Sequence, residues 1–290
     1  MEESERSIND PRDPLVNTAT AIAELIRHNA IQFENGFCWL KHAIVPGTTR
    51  RALVPVDFDL EYGQLGIVLF FCVLGEAGQA ERWKACSRQA LQPIARALER
   101  DGYSGEFLEK HDVRALVGAC RSLNLIGRLL GNDPLVVRAE KRAREALARR
   151  VEAISRQTGV WEVTRSSPHV SIWESAATSR TSLHRARLKM ERIRTRSLPA
   201  ESVLGRGLAG LLYRMLQTSF IYPDEEGLLC IRAAASELVR RFRTQTLGGF
   251  LSDPRLLNYS PCLVDGLSGI GLVLILAARC PNALTPWRRS

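Results

Sequence analysis

Four acidic residues precede the two most apolar segments of the chain and could carry hydrolytic chemistry. Asp57, Asp59 and Glu61 precede the first segment, and Asp265 precedes the last. Two opposed carboxylates can share the acid and base roles in hydrolysis. Acids at a helix entrance more commonly cap the first turn and interact with the helix dipole. The positions leave two interpretations open, a carboxylate pair of an α/α-barrel hydrolase or a set of structural caps.

The seven cysteines are a second set of reactive side chains. They are scattered and odd in number, most lie in apolar stretches, and none forms a C-x-x-C or C-x-x-H pattern. This distribution predicts buried free thiols rather than metal ligands or disulfides. The cysteines are Cys38, Cys72, Cys86, Cys120, Cys230, Cys262 and Cys280.

The elements that must position these side chains are helices introduced by a repeated Gly-x-x-Gly pattern. An apolar helix without a polar face belongs to an inner layer, and the amphipathic helix that follows it must cover it from outside. The sequence therefore predicts an all-α fold, an α/α toroid, with the glycines where a Cβ would obstruct neighbouring turns. The paired glycines are Gly63 and Gly66, Gly207 and Gly210, and Gly266 and Gly269.

Two further predictions concern where individual elements begin. One small β-hairpin is expected near Asn35-Gly36, because this turn dipeptide lies between Phe33 and an alternating run over residues 37–45. The inner helices are expected to begin near Gly66, Gly118, Gly210 and Gly269.

Composition and charge exclude several classes of protein. A chain of 290 residues with 45% hydrophobic and 24% charged residues has an ordinary globular composition. The polar, acidic start predicts a cytoplasmic protein without a signal peptide, and the apolar segments at 64–75 and 267–278 are too short to span a membrane. The net charge of +9 comes without interleaved aromatic residues, so nucleic acid is not an expected partner. The basic stretches predict solvated helix faces or a surface for an acidic peptide.

Both ends of the chain carry motifs of one known family. "DLEYGQLGIVLFFCVLG" and "SPCLVDGLSGIGLVLILAARCPNALTPW" are similar to the first and terminal repeat motifs of the cyclase of lanthipeptide synthetases, in particular the C-terminal half of the class II enzymes. The segment "AIAELIRHNAIQFENGFCWL" resembles the helix and hairpin that precede the family's first repeat. The resemblance implies a helix and hairpin over residues 1–50 that lead into a toroid over residues 51–290.

The interior matches fewer of the family's seven repeats. The segment "RLLGNDPLVV" resembles the second repeat, "SIWESAATSR" the fifth and "SVLGRGLAGLL" the sixth, whereas the third and fourth have no counterpart. The stretch 155–200 is unusually polar for an inner layer. The resemblance therefore implies an incomplete toroid, smaller than the family's ring or open near 155–200.

The family's zinc ligands are replaced in this chain. The resemblance implies one Cys ligand in the fifth repeat and adjacent Cys and His ligands in the sixth, and the metal lowers the pKa of a substrate thiol. The matching positions here are Glu174, Gly205 and Arg206. Glycine has no ligating side chain and arginine stays protonated, so no zinc site of this type and no other cofactor is expected.

Two functional hypotheses follow from the resemblance. The first is a zinc-independent lanthipeptide cyclase of ribosomal-peptide biosynthesis, which forms a thioether by adding a Cys thiol to dehydroalanine or dehydrobutyrine. The second is a catalytically inactive module that binds a peptide or a partner protein. For the first hypothesis, the candidate general bases are His111, His169, His184 and Glu174.

The resemblance also implies how the substrate is held. Trp173, Arg206 and Asp265 are the candidate substrate-binding residues, and Arg206 could stabilise a thiolate or the enolate formed on addition. Two arrangements of Glu174 and Arg206 are open: an ion pair in place of the zinc, or Glu174 in solvent and Arg206 at a helix C-terminus. The expected partners are a precursor peptide with an acidic leader and a dehydratase or kinase-like protein.

Overall fold

Helices make up most of the chain that the structure describes. The structure is a computed structural model, and 74% of its described residues are helical, as the sequence predicts. None of the described helices is both long enough and apolar enough to cross a membrane. The structure describes residues 13–34, 36–44, 49–77, 80–99, 113–158, 202, 204–205, 207–221, 225–247, 261–264 and 266–279.

The described residues form eight helices and four short strands. The helices are α1 (Pro14–His28), α2 (Gln64–Glu76), α3 (Ala80–Glu99), α4 (Val113–Leu129), α5 (Pro134–Thr158), α6 (Leu208–Ile221), α7 (Glu225–Leu247) and α8 (Leu267–Ala278). The strands are β1 (Ile31–Phe33), β2 (Gly36–Cys38), β3 (Leu40–Ile44) and β4 (Arg51–Pro55).

The chain divides into two compact units, each built from separate stretches of sequence. Unit 1 comprises Met1–Asn29, Val73–Trp83 and Ala177–Ser290. Unit 2 comprises Ala30–Cys72 and Lys84–Ala176. Neither unit is continuous in sequence, so each one brings together residues from distant parts of the chain.

Unit 2 contains two antiparallel hairpins. The first pairs β1 with β2 and joins Phe33 directly to Gly36 across the loop, which confirms the hairpin predicted at this position. The second pairs β3 with β4. Strand β4 was not predicted, because "RALVP" has no alternation of apolar and polar residues, and its Leu53 is 60% exposed. Short strands held mainly by their partner leave little trace in a sequence.

The first hairpin lies against helix α3 at a helical proline. Gly36 has φ +140°, and a Cβ at this position would come closer than 3.0 Å to the carbonyl oxygen of Gln89. Pro93 lies four residues after Gln89 inside α3 and supplies no N–H to that carbonyl. The missing helical hydrogen bond leaves room for the Gly36 backbone to approach α3 closely.

Gln64, the first residue of α2, connects the hairpin to α3. Its buried side-chain amide Nε2 donates to the carbonyl oxygens of Phe37 in β2 and Ala90 in α3. The rest of the helix is almost entirely buried, and Phe71 contacts Trp39 with ring centroids 6.3 Å apart. A helix buried on all sides is the inner-layer type that the sequence predicts for this segment.

Helices α4 and α5 of unit 2 pack together as a pair across a tight turn. Gly131 and Asn132 both have positive φ, and the N–H of Asn132 donates to the carbonyl of Gly127 to end α4. The carboxylate of Asp133 accepts a hydrogen bond from Leu135 N to begin α5. The same carboxylate pairs with Arg88 of α3 at 2.7 Å. The segment "LLGNDP" therefore specifies both a helix stop and a helix start.

In unit 1 the first described helix packs against the last. Helix α1 turns its buried face, which includes Leu15, Ala19, Ile22 and Ile26, towards α8. Helix α8 also contacts α6 and α7, and ten of its twelve residues are buried. Burial of apolar area of this extent is the main source of stability for the unit.

The predicted positions of the inner helices hold for three of the four. Helices α2, α6 and α8 begin within two residues of Gly66, Gly210 and Gly269. Helix α4 begins at Val113, five residues before Gly118. The polar stretch predicted at 155–200 lies outside the described residues, except that α5 continues as far as Thr158.

Candidate functional site

The candidate site of unit 1 is built on the two loops that lead into α6 and α8. The backbone N–H of Gly205 donates to the carbonyl oxygen of Val264 at 2.8 Å. Gly205 stands where the resemblance places a zinc ligand, and Val264 directly precedes Asp265 in the chain. The hydrogen bond therefore joins the two loops at residues that directly precede Arg206 and Asp265 in the chain, the predicted substrate-binding residues.

Leu204 packs closely against a glycine at the start of each of the two helices, Gly210 and Gly269. A Cβ on Gly210 would lie closer than 3.0 Å to the Leu204 carbonyl oxygen. A Cβ on Gly269 would clash with the carbonyl oxygen of Leu263 and would lie 2.8 Å from the Cβ of Leu204. Two of the repeated glycines are therefore needed for space, because backbone atoms cannot move aside as a flexible side chain can. This supports the structural interpretation of these glycines.

Each loop also closes onto the first turn of its own helix in the same way. Ala209 N donates to Ser202 O at 3.2 Å, and Ser268 Oγ donates to Pro261 O at 2.5 Å. In both loops the acceptor stands seven residues before the donor. The recurrence shows that the repeat in the sequence encodes a repeated loop as well as a helix.

The loop that leads into α2 in unit 2 closes similarly but also uses its acidic side chains. Gln64 N donates to Asp57 O at 2.6 Å, seven residues earlier. The Asp59 carboxylate accepts from Tyr62 N at 2.7 Å, and the Asp57 carboxylate pairs with Lys41 at 2.6 Å. Glu61 also has an interaction partner. Asp57 and Asp59 thus have structural partners in the loop, although within the described residues neither carboxylate accepts a hydrogen bond from an N–H of helix α2 itself.

The other predicted site residues lie outside the described part of the chain. The pairing of Glu174 with Arg206 and the missing third and fourth repeats therefore stay predictions. The residues concerned are His111, His169, Trp173, Glu174, His184, Arg206 and Asp265.

Helix α6 carries a buried phenol three residues beyond Gly210. Tyr213 is 8% exposed, and burial raises the pKa of its hydroxyl to about 12, against the smaller effect of the hydrogen bond from Gln217. A phenol with this pKa stays protonated at neutral pH. Tyr213 can therefore donate a hydrogen bond but cannot act as a base.

The described cysteines are free thiols. Cys72, Cys86 and Cys262 are buried, and burial raises the pKa of the Cys38 and Cys120 thiols. A raised pKa lowers the fraction of reactive thiolate. Within the described ranges, no three His, Cys, Asp or Glu side chains are grouped as a metal site would require.

Sequence reasoning missed two residues that organise these regions. Leu204 is an ordinary apolar residue in the sequence, and its contact with Gly269 depends on long-range packing. Gln64 left a weak signal, since it is the polar residue at the start of an otherwise apolar helix. A buried amide at such a position must find hydrogen-bond partners.

Comparison of the chain with protein families and with curated proteins found no relative. No protein-family model matches the chain, and no curated protein matches it significantly.

Proposed function

We propose that the protein is a lanthipeptide cyclase-like protein of ribosomal-peptide biosynthesis that forms thioethers without zinc. The observation that carries the proposal is the joining of the α6 and α8 loops through Gly205 and Val264. The resemblance implies a reaction centre at the fifth- and sixth-repeat turns, and the loop before α6 corresponds to the sixth-repeat turn. Arg206 and Asp265 are the next residues in the chain, so we assign the substrate-binding roles to them together with Trp173.

The proposal includes an α/α toroid, incomplete relative to the family. Its support is the alternation of buried and amphipathic helices and the packing of α1 on α8, because the first and last elements of a ring must meet. We place the protein in the cytoplasm, with a dehydratase or kinase-like enzyme supplying the dehydrated substrate.

The proposed reaction is an addition that conserves mass. A base, proposed to be Glu174 or one of His111, His169 and His184, removes the proton from the substrate thiol. The sulfur forms a bond to the β-carbon of dehydroalanine or dehydrobutyrine as the carbon–carbon double bond breaks. The electron pair becomes an enolate next to the Arg206 guanidinium, and a proton returns to the α-carbon.

The decisive experiment incubates the protein with a dehydrated, cysteine-containing precursor and then alkylates the remaining thiols. Cyclisation protects thiols from alkylation without changing the mass of the peptide, so mass spectrometry counts the rings formed. The Arg206→Ala variant should lose ring formation, whereas replacement of Arg214, an exposed arginine on α6, should not. If the precursor binds to the wild-type protein but all of its thiols are still alkylated after incubation, the inactive binding module is favoured instead.

A further inference from the structure

Strand β1 is an exposed edge without protective side chains. All three of its residues are exposed, with Ile31 45% and Phe33 42% accessible. Natural edge strands avoid pairing with other chains by carrying charges or proline, by a bulge or by being very short. Strand β1 is short, but it contains no charged residue and no proline. A short edge with exposed apolar side chains indicates a surface that can bind a short segment.

The register of the hairpin shows which backbone groups face outward. Gln32 pairs with Phe37, and the Phe37 carbonyl accepts a hydrogen bond from Gln64 Nε2 at 2.8 Å. That carbonyl therefore points away from β1, and the two residues form a non-hydrogen-bonded pair. The N–H and C=O of Gln32 must then point to the outer side of β1. Within the described residues, neither group has a hydrogen-bond partner.

We propose that the outer edge of β1 binds an extended segment of the substrate peptide as an added strand. One peptide residue exchanges two backbone hydrogen bonds with Gln32, and the residues on either side place apolar side chains beside Ile31 and Phe33. The segment therefore has an apolar–any–apolar pattern. This inference depends on the proposed function for the source of the peptide, and on the geometry of β1 for the site.

The size of the edge favours a peptide over a second copy of the chain. Strand β1 offers three residues, and the buried area that two copies could gain there falls far below the ~1,000 Å² that a specific dimer needs. The three-residue edge thus matches one short extended segment of a peptide.

Two substitutions at one position test the proposal. Gln32→Pro removes the outward N–H, and β1–β2 pairing does not use that group, so the hairpin should form normally. Gln32→Ala keeps the N–H and serves as the matched control. Unchanged thermal unfolding of both variants would verify that the fold is intact.

The probe is a fluorescein-labelled Val-Gln-Val-Gln-Val peptide, and its binding is followed by fluorescence anisotropy. We expect Gln32→Pro to weaken binding about tenfold through the loss of one hydrogen bond, and Gln32→Ala to bind like wild type. The same peptide with N-methylated glutamines should bind to the wild-type protein as weakly as the unmodified peptide binds to Gln32→Pro. Hydrogen exchange of the β1 segment should slow when the unmodified probe binds.

Three results would overturn the inference: equal binding by the Pro and Ala variants, undiminished binding of the N-methylated probe, or concentration-dependent dimers that Gln32→Pro abolishes. The last result would assign the edge to a second copy. The probe lacks Cys, Ser and Thr, so its binding is independent of cyclisation. Probe binding without ring formation on a precursor rejects the proposed function alone, and ring formation that Gln32→Pro leaves unchanged rejects this inference alone.

Discussion

The loop before α2 in unit 2 and the paired loops before α6 and α8 in unit 1 share a closure but differ in the atoms that hold them. The α2 loop combines a backbone closure and a tightly packed Gly63 with bonds from the carboxylates of Asp57 and Asp59. The unit 1 loops are joined by backbone atoms of Gly205 and Val264 and by close approach to Gly269.

This difference shows where chemistry can be added to a repeated loop. In the α2 loop, the carboxylates of Asp57 and Asp59 already have structural partners, so replacing them removes those bonds. A loop that is held by backbone groups and glycines leaves more of its side-chain positions open to selection for function. The comparison therefore favours the α6 and α8 loops as a place for the substrate-binding residues that we propose.

Gly269→Ala should have the largest effect on the free energy of unfolding, and it tests the close packing of the unit 1 loops around their glycines. The new Cβ would clash with the Leu263 carbonyl and the Leu204 side chain, so we expect a loss of about 3 kcal/mol in the free energy of unfolding. Urea denaturation measures it. Gly118→Ala is the control, since its Cβ would meet nothing within 4 Å, and it should be neutral or stabilising by about 0.5–1 kcal/mol. Equal effects would remove the basis for the comparison.

Gln64→Met tests the side-chain bonds of unit 2. The substitution keeps the volume but leaves the buried carbonyl of Phe37 without its donor, so we expect a loss of about 2 kcal/mol. Calorimetry would record it as a lower melting temperature. Gln89→Met, on the exposed side of α3, should have no measurable effect. A stable Gln64→Met protein would mean that the hairpin does not depend on this residue.

Tyr213 should make the protein sensitive to alkaline pH. Its folded pKa of about 12 lies above the value near 10 of an unfolded tyrosine. Its contribution to stability is therefore full below pH 10 and is lost as the pH rises from about 10 to 12, by about 2 kcal/mol. The free energy of unfolding, measured across this pH range, should fall in the wild-type protein. If it falls equally in a Tyr213→Phe variant, another group causes the alkaline sensitivity.

Asp59→Ala should have the smallest effect. The change removes the acceptor for Tyr62 N in the loop before α2, and loss of one such hydrogen bond costs about 1 kcal/mol. Asp57→Ala should cost less, because Asp57 is half-exposed and exposed ion pairs contribute little. Thermal unfolding of both variants would rank them. The reverse order would mean that the ion pair with Lys41, and not the bond to Tyr62 N, stabilises this loop.

The elements that the sequence predicted are those with a strong local signal. Inner helices at Gly66, Gly210 and Gly269 combine a glycine pattern with an uninterrupted apolar run, and Asn35-Gly36 marks its hairpin by turn chemistry. Strand β4 has neither signal, and its position follows from pairing with β3. The start of α4 lies ahead of its glycine because the residues from Val113 already follow the helical pattern of apolar positions.

The candidate site was less predictable because it depends on contacts between distant residues. The glycine repeat indicated that Gly210 and Gly269 need space, but nothing in the sequence identifies Leu204 as the residue that fills it. The outward edge of β1 could likewise not be predicted from the sequence, because the direction of the Gln32 backbone groups follows from the register of the hairpin, which the bond from Gln64 to Phe37 reveals.

The packing of α1 against α8 has a consequence for folding during synthesis. Helix α1 leaves the ribosome well before α8, and its apolar face meets this partner only after residues 29–266 have been made. Contacts between such distant segments form slowly and leave apolar surface exposed in the meantime. Unit 1 can therefore be completed only after translation of α8, and a nascent chain halted before that point should depend on chaperones to remain unaggregated.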